Sequence, residues 1–112
     1  MKIFTKKISK EEIKKLANEY FGDMVKVVVD IEKEILAAGG EFHSDSETLL
    51  IENGSKQENL WGINYFPGRR GDARVEYSAL INVRPRNKNY SFEIKDRTIR
   101  GKIKKIVDKI LP

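Results

Sequence analysis

His43, Asp45 and Glu47 alternate in an HxDxE pattern, and these are the residue types that bind metal ions or move protons near neutral pH. In an extended segment the outer two would lie about 13 Å apart, too far to share one ion unless Ser44-Asp45-Ser46 bends the chain. The chain has no other histidine and no cysteine, so a typical transition-metal set cannot be completed from it, and no disulfide or thiolate chemistry is available. The competing reading of the trio is three exposed polar residues at the start of a strand.

A second group carries binding chemistry. Asn64, Ser78, Asn82 and Arg84 supply two amides, a hydroxyl and a fork-shaped guanidinium, a set suited to a carboxylate or a phosphate. If their segments pair as antiparallel strands, all four fall on one polar sheet face; any sheet covered on one side only also has such a face. Gly54-Ser55-Lys56-Gln57 superficially resembles a phosphate loop, but it lacks the longer glycine spacing and joins two expected strands. A polar connection with glycine in a turn accounts for it more simply.

Charge is unevenly distributed over the 112 residues. Residues 1–66 carry a net −3 and residues 67–112 a net +8. Two basic sets stand out, Arg69, Arg70 and Arg74 in a turn and Arg97, Arg100 and Lys104 as a stripe on a final helix; together they form a candidate contact for a nucleic-acid backbone. No RNP, KH or zinc-finger pattern accompanies them. A Lys- and Glu-rich solubilising surface, of a kind favoured in thermophiles, explains the same composition.

These residues need elements to position them. Ser9 and Glu12 form a capping box, with Ile13, Leu16, Ala17, Tyr20 and Phe21 at helical spacing until Gly22. After Asp23 the run Met24, Val27, Val28, Ile31, Ile35 and Ala38 predicts a second helix ending at Gly39-Gly40. Val25, Val27 and Val29 also alternate as in a strand, but the helical pattern extends beyond normal strand length. Three β runs follow, EFHSDSETLLIE, LWGINYF and RVEYSALINVRP, with Pro67 to Asp72 as the turn between the last two. The register pairs Trp61, Ile63 and Tyr65 with Ala79, Tyr77 and Val75, and puts Asn64 opposite Glu76. Tyr90, Phe92 and Ile94 form a possible fourth short strand, and Met1 to Thr5 an edge strand or arm. Asp96 caps a last helix with Ile99, Ile103, Ile106, Val107 and Ile110 inward and Gly101 in its interior.

The expected fold is therefore a single α+β domain over residues 1–112, in the order ααβββα. A three-stranded antiparallel meander carries all three helices on one face. No apolar run is long enough to span a bilayer, and the charged N-terminus lacks a signal peptide's apolar region, which predicts a cytoplasmic protein away from membranes.

Gly39-Gly40-Glu41-x-His43-x-Asp45-x-Glu47, Gly54-Ser55-x-Gln57-x-x-Leu60-Trp61-Gly62-x-Asn64, Ile81-Asn82-x-Arg84-Pro85 and Asp96-x-x-Ile99-Arg100 together resemble a small prokaryotic family of roughly 110-residue proteins classed as a domain of unknown function. The resemblance covers nearly the whole chain from about Ser9. It implies a stand-alone cytoplasmic domain and supplies no activity, ligand or catalytic residue.

Three functions are compatible with this sequence. The first is a binding module for an anionic partner, through the polar sheet face or the basic second half. The second is a small enzyme or metal site around His43, Asp45 and Glu47, with Asn82 and Arg84 nearby. The third is a homodimer paired through Leu49 to Ile51 or an exposed sheet edge. Nothing in the sequence implies a cofactor.

Overall fold

The valine run decides the architecture. In the computed structural model, which describes residues 1–112, Val25-Lys26-Val27-Val28-Val29-Asp30 is a strand rather than the opening of a helix. This strand, β2 (Val25–Asp30), turns at residues 31–34 into β3 (Ile35–Ala38) and pairs with it antiparallel. Asp30 builds the turn. Its Oδ1 accepts the Glu32 and Lys33 amides at 2.9 Å each, Ser55 donates to its Oδ2 at 2.5 Å, and Glu34 adopts φ +58°.

The expected second helix over 24–38 is thus corrected to a β-hairpin. Every residue of β2 except Lys26 is buried, because the sheet is covered on both faces. Such strands lose the alternation that identifies a half-buried one, so an apolar run can match either period.

The first β run is also corrected. Residues 43–52 form helix α2 (His43–Glu52), and its inward positions His43, Ser46 and Leu50 follow helical spacing. Two of the three are polar, so the segment has no apolar stripe to mark it as a helix. The other expectations fare better. β1 (Lys2–Phe4) is an edge strand, α1 (Lys10–Tyr20) begins after Ser9, whose side chain accepts the Glu12 amide, and α3 (Arg97–Ile110) begins after Asp96, which accepts from Thr98 and Ile99.

β4 (Leu60–Tyr65) pairs with β2, and β5 (Val75–Glu76) pairs with β4 in the expected register, Tyr65 opposite Val75 and Asn64 opposite Glu76. The third run then leaves the sheet. Ile63 has no pairing with Tyr77, nor Trp61 with Ala79; Leu80–Asn82 is a 3-10 turn, and only an isolated bridge joins Ser78 to Glu93. The expected fourth strand at Tyr90 to Ile94 is reduced to that bridge.

The result is a five-stranded antiparallel sheet in the order β1-β3-β2-β4-β5, replacing the expected meander. Helices α1 and α3 cover one face, burying Val25, Val27, Val29, Trp61, Ile63 and Tyr65. Helix α2 covers part of the other face over Val28, Ala37 and Leu60, so the helices do not share one face. No helix is long and apolar enough to cross a membrane.

Candidate functional site

Beyond Asn64 the outer edge of β4 has no strand partner, and two side chains take its place. Asn82, fully buried, accepts the Gly62 amide on Oδ1 at 2.8 Å and donates from Nδ2 to the Gly62 carbonyl at 2.9 Å. Its amide stands where a neighbouring strand's peptide would be. Nδ2 also donates to the Phe92 carbonyl at 3.1 Å. One step further along the edge, Arg84 donates to the Leu60 and Gln57 carbonyls, with its guanidinium 4.3 Å from the centre of the Trp61 ring. The Ile-Asn-x-Arg-Pro motif is therefore an edge clamp.

Asn89 extends the same logic to the following loop. Its side-chain amide donates to the carbonyls of Asn82, Ser91 and Glu93.

The clamp draws the Ala79–Ile81 segment over Gly62. A Cβ on Gly62 would stand 2.6 Å from the Ala79 Cβ and 3.2 Å from Cδ2 of His43, so glycine is required for the turn and α2 to close on the sheet together. Where they meet there is a cleft of about 300 Å³. Its floor holds Lys26 of β2 and Asn64 of β4, directly opposite one another in the ladder. Phe42, His43 and Ser44 enter from the start of α2, Ser78 to Ile81 form a wall, and Phe92 stands at the rim.

Each floor group is oriented by a second contact. His43 donates from Nε2 to the Ile63 carbonyl at 2.8 Å, which leaves Nδ1 with the lone pair of the neutral ring. Burial lowers the His43 pKa most, the nearby Lys26 ammonium lowers it further, and the Ile63 carbonyl and Asn64 side chain oppose them. Asn64 donates from Nδ2 to Glu76 Oε1 at 2.8 Å and to the Ser78 carbonyl at 3.4 Å, so its oxygen is fixed; that oxygen is enclosed without a partner. The Lys26 ammonium lies 5.1 Å from the Phe21 ring centre and 5.6 Å from that of Phe42, and it joins none of the molecule's ion pairs. No acidic side chain lines the cleft. Helix α2 also starts there without a side-chain cap, Phe42 occupying the cap position and Asp45 lying in the first turn.

The sequence-derived sets are redistributed. Asn64 and Ser78 both line the cleft, whereas Asn82 and Arg84 lie at the sheet edge with their side chains committed to backbone groups. On helix α2, His43 and Glu47 are one turn apart and Asp45 points elsewhere, into a separate surface hollow beside Thr48 and Glu52. No group of three His, Asp or Glu side chains comes together to hold a metal ion. Burial raises the Glu47 pKa, partly offset by Arg84 and Gln57.

The basic sets are largely engaged within the chain. Arg74 pairs with Asp108 at 3.1 Å, Lys104 with Asp108 at 3.1 Å and with Asp72 at 3.6 Å, Arg100 lies over the Tyr77 ring, and Arg69 over that of Phe66. Arg70 and Arg97 make no such contact. A wide basic hollow of about 940 Å³ opens elsewhere, between Lys56, Arg84 and Arg86.

Lys26 and Phe42 were not legible as site residues. Lys26 carried one signal, the single charge inside a run of valines, which a strand reading would have aimed at a face. No curated protein and no solved structure matches the chain. A family model described as a protein of unknown function, DUF5674, matches residues 2–110, and with nearly its whole length matched the chain belongs to that family.

Proposed function

We propose that the protein is a binding module for a small anion, a carboxylate or phosphate, held in the cleft between β2, β4 and the start of α2. The supporting observation is the unpaired Lys26 ammonium in a concavity without acidic lining. A lone cation held by aromatic faces keeps its charge available. His43 enters as a neutral, buried ring, which sets the shape of the floor without adding charge.

Titration of acetate and of inorganic phosphate into the ¹⁵N-labelled protein at low ionic strength tests the reading. The expected result is saturable shifts of the Asn64 side-chain amide and of the Ser44 backbone amide, weakened about tenfold in Lys26→Gln and by added salt. No shifts with either anion would overturn it.

A further inference from the structure

We infer that the anion bound in this cleft carries a flat aromatic ring, as in an aryl carboxylate or an aryl phosphate. The inference rests on the anion reading above and adds the body of the ligand to its charged head.

The residues that carry it are Phe42, Leu80 and Phe92. All three line the same cleft, and they are 55%, 69% and 54% exposed. Single exposed apolar side chains are ordinary, but three large ones around one concavity whose floor is polar are a recognition surface. They are held there by structure: Phe42 at the cap position of α2, Leu80 in the 3-10 turn, and Phe92 through its carbonyl, which accepts both the Ala79 amide and the Asn82 side chain. The two phenylalanines can take a ring by stacking or edge contact, and Leu80 can cover it. Lys26 beneath them supplies the only charge of the lining, so the charged and apolar parts of a ligand have separate places. A cleft of about 300 Å³ holds one ring and its anionic group.

The experiment compares matched pairs, acetate with benzoate and inorganic phosphate with phenyl phosphate, by the same amide titration, and repeats them on Phe92→Ala. The expected result is that each aromatic anion binds at least about fivefold more tightly than its ring-free partner, the low end of what aromatic stacking contributes. Phe92→Ala should remove most of that ratio. Equal binding within each pair would overturn the aromatic inference and leave the anion reading standing, whereas no binding by any of the four would overturn both. Cyclohexanecarboxylate binding as tightly as benzoate, or a ratio unaffected in Phe92→Ala, would also overturn the inference. Preference for phenyl phosphate over benzoate, or the reverse, identifies which head group the site takes.

Discussion

The two faces of the sheet are built by different rules. On the α1/α3 face, side chains from β1 to β4 and two helices merge into one apolar cluster of eighteen buried residues. On the α2 face the corresponding cluster has four, Val28, Ala37, Leu50 and Leu60, and the remaining surface is occupied by His43, Asn64, Asn82 and the cleft. Hydrophobic burial alone can hold the first face together, while the second depends on hydrogen bonds of defined geometry and on one close approach at Gly62. That difference locates the candidate site: polar groups remain available only where the apolar cover is incomplete.

The comparison is most directly broken at Asn82. Asn82→Ala would leave the Gly62 amide and carbonyl without their partner, in a place where the residue is fully buried, and would take one of its two donors from the Phe92 carbonyl. Unmade buried bonds cost about 1–3 kcal/mol each and are not additive, so a loss of about 3–4 kcal/mol is expected in urea unfolding. A loss below about 1 kcal/mol would mean that the edge clamp is not what closes the α2 face.

Gly62→Ala tests the shape of the same face. The added methyl meets the Ala79 Cβ at 2.6 Å, a distance that requires the Ala79 segment to move. Overpacking of this kind costs about 1–3 kcal/mol, and about 2 kcal/mol is expected. Because the same movement widens the cleft, acetate and benzoate binding should weaken together. Unchanged stability would show that α2 and the turn sit on the sheet with slack.

The α1/α3 face was the legible one. Ser9 and Asp96 cap their helices and Ile13, Leu16, Ile103 and Val107 repeat at helical spacing, because α1 and α3 are apolar on one side and polar on the other, while in β4 Trp61, Ile63 and Tyr65 alternate with Gly62 and Asn64. The α2 face hid itself for the converse reason. β2 is covered on both sides, so apolar Val28 breaks the alternation of Val25, Val27 and Val29 and the run fits a helical period as well, and α2 buries a histidine and a serine, so its period is invisible to hydropathy. Asn64 and Ser78 were identified as neighbours from strand register, which held for the first two pairs of β4 with β5 and ended where Asn82 and Arg84 replace a strand with side chains. Nothing in local propensity signals that substitution, since it depends on a contact between residues 20 apart in the chain.

His43 sharpens the comparison through pH. Its folded pKa is lowered, with burial the largest cause, against an ordinary value of about 6.5. Below that value the unfolded chain binds more protons than the folded one, so the stability contribution is complete above about pH 6.5 and is lost as pH falls through the folded pKa. His43→Gln should flatten this part of the stability profile. As the molecule's single histidine, His43 gives an unambiguous NMR titration, expected to have its midpoint below 6.5. A midpoint at or above that value would place the ring in a more polar environment than the α2 face provides.

The smallest effect belongs to the opposite side and should have the opposite sign. Gly101 lies in helix α3 with nothing within 4 Å of where a Cβ would stand, so the close packing that would justify an interior glycine is absent. Alanine there loses less backbone entropy on folding, and Gly101→Ala should stabilise the protein by about 0.5–1 kcal/mol, raising Tm by roughly 3–6 °C. The apolar face would then tolerate change on its solvent side while the α2 face does not tolerate one methyl group at Gly62. A lowered Tm would instead mean that the outer surface of α3 is covered in solution. Light scattering on Gly101→Ala and on the unaltered chain separates these outcomes, because cover by a second copy would appear as a dimer that the substitution weakens.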